Sequence, residues 1–388
     1  MILSVPYQQW WRCGGINGSH ISNENSKVSM HIKDTTHIIK EIVRSNIIGL
    51  FPSLLNRIGY SPFSATLQIT SRCSAKCKTC THWTVKEHDE LTTEEWKNVI
   101  LSLKKNNVMF IGISGGDIIL REDIFELISF CTSNALHVGV TLNGYTVTEK
   151  ISKSLMKTNI NSISLSLDDL GDKFSEIRSV NNASDKVIRT LRLLKKFNQG
   201  RTKISLGMTV MRSTIDSIKD VVTFGIQNNL PVGFSLIHFT HYFSDTPFSR
   251  EQYQLSQAEQ KKLHEQVRWL ARMHRKYPNL CPNLVVLEYM YKYFHDYYQK
   301  RTLCYQTLLD PCIQPNGDVR PCCSMESVGN VKEQDINQIL KSDKCITLLK
   351  KSLFKDCPGC SCRYPFNLRV SIRANIREYL LRLGIVKL

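Results

Sequence analysis

No apolar run in this 388-residue chain approaches the roughly 18 residues that a membrane-spanning helix needs. The N-terminus, Met1-Ile-Leu-Ser-Val-Pro6, lacks the basic stretch and apolar run of a secretory signal, so a cytoplasmic location is expected. The eleven histidines form no H-x3-H or H-E-x-x-H pattern, so no histidine-based zinc motif is present. Acidic residues are scarce: 34 against 51 basic ones leave a net charge of +17. The basic residues are scattered and no DNA- or RNA-binding motif accompanies them, so nucleic acid is not the expected partner. A basic surface suits an anionic substrate, a peptide or a membrane face.

Cysteine, by contrast, is plentiful. Fourteen cysteines without an export signal read as metal or redox chemistry rather than a disulfide framework. Three of them, Cys73, Cys77 and Cys80, stand at C-x3-C-x2-C spacing just after the strand-like run Thr66–Thr70. Three thiolates in one loop can hold three corners of a [4Fe–4S] cube and leave the fourth iron open. The alternative is a zinc knuckle, but zinc takes four ligands, usually as two separated pairs. A zinc-bearing, non-enzymatic binding protein is therefore the competing reading.

From Ala65 to about His238 strands alternate with helices. The strands are expected near 65–70, 108–114, 136–142, 162–167, 203–211 and 232–237. Thr92-x-x-Glu95 is a capping box, and Trp96, Val99, Ile100 and Leu103 follow it at helical spacing. Ile124, Leu127, Ile128 and Cys131 mark a second helix, and Val187, Leu191 and Leu194 a third. Such alternation predicts a parallel sheet with right-handed crossovers. Ser162, Ser164, Ser166 and Asp168 share one strand face, opposite Ile163, Leu165 and Leu167. His137, Gly139, Thr141 and Asn143 do the same, as do Ser205, Gly207 and Thr209. A flat sheet covered on both faces would read as continuous apolar runs. Small polar residues along one face predict a sheet curved around a polar cavity.

The cysteine loop followed by Ile113-Ser-Gly-Gly-Asp117 resembles the radical S-adenosylmethionine (SAM) enzymes. The resemblance covers roughly residues 65–240 and implies an α/β fold, the partial (β/α)6 barrel. It implies that Cys73, Cys77 and Cys80 hold a [4Fe–4S] cluster whose open iron chelates SAM. Gly115, Gly116 and Asp117 match the family's Gly-Gly-Glu-Pro element, which contacts the methionyl amino group; Asp117 and Ile118 depart from its Glu and Pro. Asn143-Gly144 resembles the family's Thr-Asn-Gly turn, and Ser166, Asp168 and Arg178 fall where relatives contact the ribose or carboxylate of SAM. Thr79 replaces an aromatic residue that often packs near adenine, for which Trp83 is a substitute. The implied chemistry is reductive cleavage of SAM to a 5′-deoxyadenosyl radical that abstracts a hydrogen atom, with flavodoxin or ferredoxin as electron donor.

A second cysteine group lies near the C-terminus. Cys304, Cys322, Cys357 and Cys360 can supply four thiolates to a full cubane, and Asn316-Gly317 marks a tight hairpin between the first two. The pattern resembles the SPASM and Twitch extensions, which hold auxiliary clusters. Only Cys362 follows Cys360, so the SPASM run is broken and one Twitch-like cluster is expected; two are the alternative, with Cys312, Cys323, Cys345 and Cys362 as spare thiols. A zinc ribbon is the structural alternative. Cys13, Cys131 and Cys281 have no partners in sequence, and Cys131 falls on an apolar helix face. The expected divisions are an N-terminal extension (1–60), the core (61–245), a helical connector (246–303), the auxiliary-cluster domain (304–365) and a basic amphipathic helix (366–388). In that helix Arg369, Arg373 and Arg377 recur every four residues; a solvated face is the plain reading and membrane-surface contact the sharper one. Residues 1–60 are too short and lack the pattern of the peptide-recognition domain that family maturases often carry. The expected substrate is therefore a small molecule, such as a sugar or aminocyclitol alcohol oxidised by two electrons, with a ribosomal peptide as the alternative.

Overall fold

The computed structural model describes residues 32–85, 89–237, 254–295 and 304–354. Six parallel strands form its centre: β1 (Ser64–Gln68), β2 (Phe110–Ser114), β3 (His137–Leu142), β4 (Ser162–Ser166), β5 (Lys203–Val210) and β6 (Val232–Leu236). They lie side by side in chain order, as right-handed strand–helix–strand units produce. The register explains why the sheet has two unlike faces. Leu67, Ile113, Val140, Ile163 and Ile204 form one row across β1–β5, each 9% exposed or less. Leu142, Leu165, Leu206 and Val232 form the next. On the other face Thr66, Gly112, Gly139 and Ser162 align, then Thr141, Ser164 and Ser205, then Ser166, Gly207 and Gly233. The sheet is not closed: β6 lies at one edge. This is the partial barrel that the resemblance implied, and the small polar residues expected on one face of the strands lie there.

Helices cover the apolar face. Between β1 and β2 comes α1 (Thr93–Lys105), which buries Trp96, Val99, Ile100 and Leu103. Its capping box is present: Glu95 Oε2 accepts from the Thr92 amide at 2.7 Å, and Thr92 Oγ1 accepts from the Glu95 amide at 3.3 Å. Next come α2 (Ile124–Ser133), α3 (Glu149–Lys157), α4 (Asp172–Arg178), α5 (Ala183–Phe197) and α6 (Ile218–Gln227). Cys131 is fully buried on α2, a core thiol whose pKa burial pushes up to about 12. A helix at Ile32–Leu50 precedes the barrel, and two more at Gln257–Lys276 and Leu284–His295 follow it.

The C-terminal region was expected as an appendage, but it continues the barrel sheet. Strand β7 (Cys312–Ile313) pairs in parallel with β1, and β8 (Asp318–Arg320) and β9 (Gly329–Asn330) extend it antiparallel. The order is β6-β5-β4-β3-β2-β1-β7-β8-β9. The Asn316-Gly317 turn joins β7 to β8 as predicted, with Gly317 at φ +94°, where a side chain would be strained. Asp310 seals the seam. Its carboxylate accepts from Ser64 Oγ at 2.8 Å, from Thr66 Oγ1 at 3.3 Å and from Gln306 Nε2. Burial raises its pKa to about 6 despite these three donors.

Candidate functional site

The loop that carries Cys73, Cys77 and Cys80 leaves the C-terminal end of β1. Its approach is held on two sides. On one side the Gly116 amide donates to Thr70 O and the Asp117 amide to Arg72 O, both at 2.8 Å. A Cβ on Gly115 would lie 2.4 Å from Thr70 O, and one on Gly116 2.1 Å from Arg72 O. Glycine is therefore required here so that this turn can touch the cysteine loop's own backbone. The sequence suggested a close approach to a ligand; the described contact is to the chain itself. On the other side Glu90, in the stretch before α1, accepts from Thr70 Oγ1, the Ser71 amide and Arg72 Nη2.

Asp117 is 1% exposed and its carboxylate joins three strand ends. Oδ2 accepts from Ser74 Oγ at 2.6 Å, in the cysteine loop, and from Thr146 Oγ1 at 3.0 Å, after β3. Asn143 Nδ2 also donates to Ser74 Oγ, at 3.2 Å. Asp168, after β4, binds Arg178 through Nε at 2.8 Å and Nη2 at 2.5 Å, and takes the Thr209 amide at 2.7 Å. Arg178 Nη1 lies 4.0 Å from Cys77 Sγ, and the guanidinium sits over the Phe174 ring. Burial works against its charge, but Asp168 outweighs that and its pKa is raised. Ser166 ends β4, half-buried beside Gly207. Trp83 Nε1 donates to Cys77 O at 3.2 Å and the ring is 40% exposed. Apart from Arg178, which ends α4 and reaches back to Asp168, each residue singled out on the barrel lies at the C-terminal end of a strand or in the loop that follows it. The sequence reading missed Ser74, Glu90, Arg121 and Thr146, because a lone polar residue in a loop carries no periodicity or spacing signal.

The thiols fit an iron–sulfur cube. Burial pushes Cys73 up to about 11; the Ala75 amide opposes this, and Cys77, Cys80 and Asp117 add to it. Burial raises Cys80 as well. A positive metal centre removes this penalty by taking the thiolates as ligands. A cube spreads its thiolates over separate irons. Cys73, Cys77 and Cys80, near enough to perturb one another's charge, match that need.

In the C-terminal region Cys304 and Cys322 are buried, at 3% and 8% exposure. Cys357, Cys360 and Cys362 lie outside the described residues, as do Cys13 and the basic tail helix. The spare thiols separate into two environments. Cys312 and Cys323 interact: burial raises Cys312 well above the ordinary thiol range, and Cys323 adds to it. Cys345 is elsewhere, fully buried, with Sγ 3.4 Å from Tyr60 Oη. Burial raises its pKa, and the Tyr60 hydroxyl opposes this.

Residues 67–225 match the family model of the Radical SAM superfamily, and residues 304–362 match SPASM, an iron–sulfur cluster-binding domain. Residues 67–225 thus carry a radical SAM domain and residues 304–362 a SPASM domain. The chain's cofactors are accordingly a [4Fe–4S] cluster, SAM and auxiliary iron–sulfur ligation in the C-terminal domain, which matches the SPASM model. The chain is 25% identical over 161 residues to the mycofactocin maturase MftC of Mycolicibacterium smegmatis, covering 41% of each chain. It is 27% identical over 164 residues to the sporulation killing factor maturation protein SkfB of Bacillus subtilis, covering 42% of this chain and 39% of SkfB. The chain thus spans about two-fifths of the length of the curated relatives it matches. The crystal structure of Streptococcus suis SuiB bound to S-adenosylmethionine superposes with TM-score 0.61 at 17% identity, over 83% of this chain and 75% of SuiB. That likeness establishes the fold. No helix among the described residues is long and apolar enough to cross a membrane.

Proposed function

We propose that this radical SAM protein is a peptide maturase: it cleaves SAM reductively and abstracts a hydrogen atom from a ribosomally made peptide. The carrying observation is that the core aligns with two proteins named for maturation, MftC and SkfB, and with a PqqA peptide cyclase, in a chain that also has a SPASM domain. The small-molecule reading drawn from the N-terminal length yields to this one. Held by Cys73, Cys77 and Cys80, the cluster would pass one electron to SAM and so supply the radical. Gly115, Gly116 and Asp117 fix the cysteine loop from one side. Asn143, Ser166 and the Asp168–Arg178 pair present polar groups at neighbouring strand ends, where SAM would be oriented. The SPASM domain would accept the second electron, so the net reaction is a two-electron oxidation of the peptide.

The test uses the reconstituted enzyme with SAM, a reductant and the short peptides encoded beside its gene. Each turnover should give one 5′-deoxyadenosine and a peptide two hydrogens lighter. A peptide of unchanged mass but altered chirality would replace oxidation by epimerisation. Turnover of a tetrapyrrole and of no peptide would replace the substrate class, since the Fe-coproporphyrin III synthase of Methanosarcina barkeri is also a relative, at 24% identity.

A further inference from the structure

The carboxylate of Glu90 carries more of the cysteine loop than any residue within it. Its side chain is 9% exposed. Oε1 accepts from Thr70 Oγ1 and from the Ser71 amide at 3.0 Å; Oε2 accepts from Arg72 Nη2 at 3.0 Å. Three consecutive residues before Cys73 therefore converge on one acid. Behind it Arg121, 6% exposed, holds a fixed position. Arg121 Nη1 donates to Ile69 O at 3.1 Å and lies 3.6 Å from Glu90 Oε2. Nη2 donates to Leu91 O at 2.8 Å, and Nε and Nη2 grip Asp123 at 2.6 and 2.9 Å. So one arginine reaches the residue before Thr70 and the residue after Glu90. Opposite, the Gly116 and Asp117 amides bind Thr70 O and Arg72 O. Loop residues 70–72 are thus clamped between a carboxylate and a Gly-Gly turn, within three residues of the first thiol.

We propose that Glu90, backed by Arg121, is a positioning residue for the SAM-binding cluster: it holds residues 70–72 so that Cys73 stands ready for iron. Glu90 contacts no thiol in the structure and acts through the loop. Outer-shell groups that orient metal ligands are generally worth about 10–100-fold in metal affinity. A buried carboxylate already satisfied by an amide, a hydroxyl and a guanidinium has no freedom to follow a loop that moves. This inference rests on the cluster assignment and not on the peptide substrate.

The full-length chain is reconstituted anaerobically, reduced and challenged with a ferrous chelator. The electron-paramagnetic-resonance signal that shifts on adding SAM is followed, because only a cube with an open iron answers to SAM. In Glu90→Ala that signal should decay about 10–100-fold faster than in the wild type. Glu90→Gln keeps the acceptor for Thr70 and Ser71 but loses the charge facing Arg72, and should fall between the two. The SAM-insensitive signal of the auxiliary site should decay at the wild-type rate in both variants. Decay of the SAM-sensitive signal within twofold of wild type in Glu90→Ala overturns the proposal. Equal acceleration of both signals also overturns it, because a general loss of stability then suffices. A wild-type protein with no SAM-sensitive signal at all would instead remove the cluster assignment beneath it.

Discussion

The two cysteine regions are built on opposite principles. In the barrel loop Cys73, Cys77 and Cys80 lie within eight residues of one another. They sit in a polar frame of Glu90, Asp117, Asp168 and Arg178, and Cys73 and Cys80 are only half-buried. In the C-terminal region Cys304, Cys312, Cys322 and Cys345 are all buried, and Cys322 and Cys345 belong to the main apolar core. The first arrangement puts thiols where a second molecule can reach them and lets charged groups steer it. Among the described thiols of the second, all are sheltered from solvent except Cys323, which is half-buried. The comparison also shows that the two regions share one sheet, since β7 pairs with β1.

The largest effect should come from removing the barrel thiols. Changing Cys73, Cys77 and Cys80 together to Ala should abolish 5′-deoxyadenosine formation and remove about four irons, those of one cube, while the auxiliary irons stay. Chromatographic detection of the nucleoside and iron analysis check it. Complete iron loss would show that the two regions are not independent.

Next in size is Gly116→Ala. Its methyl would meet Arg72 O at 2.1 Å, a backbone atom that cannot swing aside. The loop must shift, at a cost of about 1–3 kcal/mol. Iron at the barrel site should fall while the auxiliary site keeps its share. Iron analysis and thermal unfolding read both, and full barrel iron with an unchanged melting temperature would deny the close approach its importance.

A smaller effect tests the seam. The Asp310 carboxyl is raised to about 6 by burial, whereas the unfolded chain titrates near 3.8. The folded state therefore holds a proton between those values that the unfolded state has lost. The stability this gives is present below about pH 4 and is lost as pH rises through about 6. Asp310→Asn keeps the shape without the charge and should stabilise the protein at pH 7 by on the order of 2 kcal/mol, with little change at pH 4. Melting temperatures across that range check it; an equal shift at both values would mean the acid is already neutral at the seam.

Much of the barrel was legible because it rests on periodicity. The alternation of Ser162, Ser164 and Ser166 with Ile163 and Leu165 is a local property of a pleated strand, and it became the two unlike faces of the sheet. The Thr92–Glu95 capping box and the Asn316-Gly317 turn were readable for the same reason: each acts over three or four residues. The cysteine loop was readable because its ligands share one short segment.

What only the tertiary structure decided involves residues far apart in the chain. Asp310 bonding Ser64, Cys345 meeting Tyr60, and Arg121 spanning Ile69 and Leu91 follow no spacing rule. Each is a buried polar group that must find a partner wherever packing brings one. The same holds for the glycines of the Gly-Gly-Asp turn. The sequence alone showed Gly115 and Gly116 only as a match to the family's SAM-contacting element. That it is the cysteine loop's own Thr70 and Arg72 that come close was decided by the sheet, which sets the ends of β1 and β2 side by side.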